Sequence, residues 1–230
     1  MRTLAAAFAA TFVAALAVAA AWAPAGGATN ECNGIQACIR VPGPWVLIAP
    51  HAVSTYLLAC PNGRGVVAGL DAQATSRDVR VTFDGQLGAP VSPGVTTGRS
   101  ALFHARSLTQ GAAAFQPLLG CVRAGGGGRS TVSARPTPAG PALDLLAQTV
   151  VLRPGLARVG AVRCPPGDRL AGSWTALAFR TTSPPDLAQA RFVQLHTSVA
   201  AGKATVTALA SDALSPDARA VAQVGVECAP

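Results

Sequence analysis

Nucleophilic catalysis of the serine-hydrolase kind needs a Ser or Cys beside a His that an acid orients. The chain offers three histidines, His51, His104 and His196. Ser54 lies three positions after His51, but no Gly-x-Ser-x-Gly elbow is present. His104 and His196 fall in strand-like stretches and are expected to face solvent. The ten acids are dispersed, without the close alternating spacing of a calcium loop. Asp84-Gly85 reads as a turn, and Asp217 belongs to the turn "SPDA". Sugar stacking would use Trp45, Tyr56 and Trp174, although a Trp on a strand of a small sandwich normally belongs to the core. No catalytic residue, cofactor site or metal-ligand set is assigned.

The six cysteines carry more information: Cys32, Cys38, Cys60, Cys121, Cys164 and Cys228. No pair has C-x-x-C redox spacing, and no His stands at zinc-ligand distance from a Cys. An even count in an exported chain reads as a disulfide framework. The stretch "CPNGRGVVAG" from Cys60 returns as "CPPGDRLAG" from Cys164. With Cys60 set against Cys164, each copy reads as an apolar strand ("WVLIA", "TVVLR"), a proline, nine residues and Cys-Pro-x-Gly. Each copy ends on a cysteine, in "AAFQPLLGC" and "AVAQVGVEC". The separations, 61 and 64 residues, nearly match. The pairing expected is therefore Cys60–Cys121 and Cys164–Cys228, which leaves Cys32–Cys38 to close a small loop. Cys-Pro-x-Gly then ends a strand on a bridged cysteine and turns the chain.

The elements that must hold this framework alternate with period two. "DVRVTFD" sets Val79, Val81 and Phe83 against Arg80, Thr82 and Asp84. "PALDLLAQ" (Pro141 to Gln148) is the one stretch expected to make a helical turn or two, and "SPDARAVA" a single turn. The fold class expected is all-β, as two tandem antiparallel β-sandwiches of Ig-like build, each closed by one disulfide. Residues 1–28 read as a signal peptide, with a positive start, an apolar run and small residues after it. A first domain over 29–122, a Gly/Pro/Ser-rich linker over 123–142 and a second domain over 143–230 follow.

The charge of +8 comes from eighteen basic residues, of which only Lys203 is a lysine, scattered rather than clustered. That argues against a nucleic-acid partner. No stable membrane span is expected once the leader is cleaved. The reading is an exported, extracellular or periplasmic, noncatalytic structural or binding protein of a bacterial envelope. The alternatives are a module binding carbohydrate or envelope polymer, and a secreted enzyme or enzyme inhibitor. Partners expected are an envelope polymer, another protein, or further copies through strand edges. Recognition is placed in the loop Gly85–Ser100 and in its counterpart "TTSPPDLAQA".

Overall fold

The computed structural model describes residues 38–61, 65–84, 98–123 and 143–230. The expected leader, Cys32, most of the Gly85–Ser100 loop and nearly all of the linker lie outside the described residues. The protein is all-β. In the first copy run β1 (Ile39–Pro42), β2 (Trp45–Ile48), β3 (Val53–Ala59), β4 (Gly65–Ala74), β5 (Val79–Asp84), β6 (Ser100–Ser107) and β7 (Ala113–Arg123). In the second run β8 (Asp144–Val151), β9 (Ala157–Arg163), β10 (Arg169–Phe179), β11 (Val193–Ala200), β12 (Lys203–Ala210) and β13 (Ala220–Ala229). The described residues also include the short 3-10 helices Leu187–Phe192 and Pro216–Ala218.

One expectation needs correction. "PALDLLAQ" makes no helical turn among the described residues; from Asp144 it is the start of β8. Leu, Ala and Gln favour helix, but β8 pairs with β13 from Asp144↔Cys228 to Val151↔Val221, and that ladder overrides local preference.

The duplication is visible strand for strand. In each copy three strands enter a shared central sheet and three form a small sheet of their own. The small sheets are ordered β3-β6-β5 and β11-β12-β9, which are the same order once the copies are aligned. In the first copy β1 and β2 are one strand broken by a bulge. Pro42 pairs with Leu118 and Val46 with Phe115, which leaves one extra residue around Gly43-Pro44. Gly43 N–H donates to Pro117 O at 2.8 Å there. In the second copy β8 runs straight through the same place.

The repeated Ala-Gly at the end of "CPNGRGVVAG" and "CPPGDRLAG" marks another bulge. In β4 the register slips between Val67 and Gly69, and in β10 between Leu170 and Gly172. Each slip lies directly opposite the second cysteine of its pair. In both copies the repeated stretch thus encodes a bridged cysteine and a bulge together.

The central sheet runs β4, β7, then β1 and β2 end to end, then β10, β13 and β8. The copies meet where Trp45 pairs with Phe179 and Val46 with Ala178. The two small sheets pack on opposite faces of it. Tyr56, Ala101, Phe103 and Ala105 pack with Val46, Ile48, Ala176, Ala178 and Val221. The alternate residues Leu47, Leu177, Phe179, Ala220 and Ala222 pack with Ala208, Ala210 and Leu195. Side chains alternate faces along a strand, so each core borrows from the other copy's strands.

Candidate functional site

The first cysteine pairs fall as the duplication requires. Cys60–Cys121 and Cys164–Cys228 are bonded, with Cα separations of 5.8 and 5.6 Å. Cys38 is also disulfide-bonded, while its expected partner Cys32 lies outside the described residues. On the chain-entropy model each long loop contributes about 4 kcal/mol.

The candidate catalytic groups do not converge. His51 Nε2 meets Gln110 Oε1 at 3.2 Å on the surface. Ser54 Oγ instead donates to Leu47 O at 2.6 Å, so the two are not a catalytic pair. His104 does not face solvent freely; it is half-buried with Nδ1 2.9 Å from Thr55 Oγ1. His196 is exposed on β11. Among the described residues no group of three or more His, Cys, Asp or Glu side chains is placed to hold a metal ion.

Trp45, Tyr56 and Trp174 are all buried, so none offers a face for stacking on a sugar. Tyr56 and Trp174 belong to a polar centre that the sequence reading missed. Trp45 lies on the other face of the sheet beside Phe179, its buried Nε1 without a hydrogen-bond partner among the described residues. Gln223 sits on β13 with only 3 % of its surface exposed. Its Oε1 accepts from Leu57 N–H at 2.8 Å and from Trp174 Nε1 at 3.1 Å. Its Nε2 donates to Leu57 O at 3.0 Å and to Thr149 Oγ1 at 3.1 Å. Both lone pairs and both protons of the amide are therefore used. By bonding N–H and C=O of the same residue on β3, the side chain acts as a strand edge and ties the first copy to the second. Burial pushes the Tyr56 hydroxyl above its ordinary pKa, against the opposing pull of a hydrogen bond with Thr149 and the charge of Arg180. A sequence signal for this centre existed. Gln116 and Gln223 each stand five residues before the closing cysteine, in the apolar middle of a strand. Gln116 is also buried, and its Nε2 donates to Gly43 O at 2.9 Å, inside its own copy.

The counterpart of the unplaced loop is well defined. "TTSPPDLAQA" and the Pro216–Ala218 turn enclose a shallow cleft of about 320 Å³, lined by Thr181, Pro185, Asp186, Gln189, Ser215 and Asp217. Much of its polarity is already engaged. Asp186 caps the 3-10 helix through Ala188 N–H at 2.9 Å, and Gln189 Oε1 accepts from Ser215 N–H at 3.1 Å. Arg191 lies over the Phe192 ring at 4.7 Å, bracing the same helix. Among the described residues no helix is long and apolar enough to cross a membrane. Comparison with protein-family models, curated proteins and solved structures finds no match to this chain.

Proposed function

We propose that the chain is an exported, noncatalytic structural or binding protein of a bacterial envelope or exterior, built from two duplicated sandwich modules of Ig-like kind. The observation that carries this reading is the pair of equivalent disulfides, each spanning one copy. Such bridges persist in oxidising compartments and are rare in the cytosol. The leader over residues 1–28 supplies the route. The buried amide of Gln223 supports durability rather than turnover, since it and its neighbours are satisfied by one another.

The test is intact mass and peptide mapping of the chain secreted by a bacterial host. The reading predicts a mature product lacking its first 25 or 28 residues, with bridges 32–38, 60–121 and 164–228. A retained leader, or free thiols in the native product, would contradict it. Binding of an extended envelope polymer is the second reading. The Pro- and Asp-lined cleft between residues 181–189 and 215–218 favours it. Replacing Asp217 and Pro185 there with no change in retention on purified envelope polymer would remove that reading.

A further inference from the structure

The central sheet ends in two edge strands, β4 and β8, and they are treated differently. On β4 the Ala72 N–H is taken by the neighbouring Asp71 carboxylate at 2.8 Å. Val67 N–H donates to Gly98 O at 2.8 Å, and the bulge beside it bends the strand. These are devices that blunt an edge. β8 has none of them. Among the described residues it pairs only with β13, without a register shift. Leu152 N–H donates to Ala220 O at 2.9 Å, which fixes the phase of the ladder. Bonded residues alternate along an antiparallel strand. Leu145, Ala147, Thr149 and Val151 therefore direct their N–H and C=O groups outward, where no described residue takes them. The strand contains one charge, Asp144, and no Lys or Pro. Leu146 is 36 % and Val151 52 % exposed, and Leu156 and Val159 beside them are 50 % and 61 % exposed.

We propose that a second copy of this chain covers the edge, β8 against β8, antiparallel about a two-fold axis at Gln148. That register sets Leu145 against the partner's Val151 and Ala147 against the partner's Thr149. All four outward residues are then paired, through about eight backbone hydrogen bonds, two for each bonded pair. Charge agrees with the direction. Asp144 and Arg153 flank the strand with opposite signs, so antiparallel pairing brings Asp144 beside the partner's Arg153 at both ends. Parallel pairing would set the two Asp144 side chains together. The molecule already uses the same device internally, where β2 and β10 join the copies edge to edge in this sheet. A two-fold contact closes on itself, so the assembly stops at a dimer. The inference does not depend on export and stands or falls separately from the proposed function.

Sedimentation velocity of the full chain over a concentration series tests it, with two variants. Ala147→Pro removes an outward donor but no bond to β13. It is expected to weaken the dimer at least tenfold at an unchanged thermal midpoint. Gln148→Cys places two thiols in the non-bonded pair on the axis, where Cα atoms lie about 4.5 Å apart, inside disulfide reach. It is expected to form a covalent dimer on mild oxidation, and Ala147→Cys is not. A chain that stays monomeric with Gln148→Cys unlinked overturns the proposal. So does a dimer indifferent to Ala147→Pro, or growth into long filaments. If Ala147→Pro misfolds, the two cysteine variants decide.

Discussion

Asp71 and Trp174 occupy the same place in the two copies, three positions beyond the bulges at Ala68 and Ala171. In the first copy Asp71 faces Leu118 across the ladder; in the second Trp174 faces Gly225. A Cβ on Gly225 would overlap the Trp174 indole, so ring and glycine are complementary. The indole then reaches Gln223, which reaches β3 of the other copy. One more substitution separates the copies in the same way. Where β8 has Gln148, whose Oε1 takes the Ala161 N–H of β9 at 2.7 Å, the first copy has Pro44. Pro44 has no amide to offer, and the equivalent N–H of Leu57 goes to Gln223 instead. Duplication thus supplied one topology, and a handful of side chains turned one copy outward and the other into its dock.

The largest effect on this comparison should come from the bridges the copies share. Replacing Cys164 and Cys228 with Ala should cost about 4 kcal/mol, and the Cys60–Cys121 pair about the same, because the loops are nearly equal. Denaturant unfolding of each double variant checks the equality. A clear difference between the two losses would show that the two copies are not energetically equivalent.

Next comes the glutamine pair. Gln223→Ala leaves Leu57 N–H and C=O and Trp174 Nε1 without their partner, while Thr149 keeps its bond with Tyr56. A loss of about 3 kcal/mol is expected, against about 1 kcal/mol for Gln116→Ala. Equal losses in urea melts would mean that the junction is no more demanding than the bulge at Gly43.

Gly225→Ala should follow, at about 2 kcal/mol, since the added methyl forces Trp174 from its place. Loss of the Trp174 near-ultraviolet dichroism should accompany it. A variant with full stability and an unchanged spectrum would contradict the packing described.

The smallest effect is a pH dependence. Tyr56 is the only tyrosine, so the tyrosinate absorbance reports it alone. Its folded pKa lies above the ordinary value of 10.0. The unfolded chain therefore loses that proton first, and the contribution to stability is present below that value and lost as pH rises through the folded pKa. Native titration should lag behind that of the unfolded chain. A native midpoint at or below the unfolded one would place Tyr56 outside the junction.

Much of this fold was legible because duplication leaves spacing behind. Cys60 and Cys164, with their matching closures, gave the pairing before any geometry was known, and "DVRVTFD" gave its strand through its period of two. β8 was misread at its start because "LLAQ" carries helix preference and only its partner, about 75 residues away, makes it a strand. The junction was hidden for a different reason. Edge pairing between strands leaves no period, and a buried Gln in an apolar strand reads as a surface residue until its four partners are known. The Gly85–Ser100 loop was named as a recognition surface, and only its last residues are described; they serve Cys60 and Val67 through backbone bonds.

Differential scanning calorimetry of the Gln223→Ala chain beside the parent addresses the central claim most directly, that shared strands and one amide make two copies a single body. The account predicts one cooperative transition in the parent, displaced to lower temperature as a whole in the variant. Two resolved transitions in the parent, only one of which moves in the variant, would contradict it.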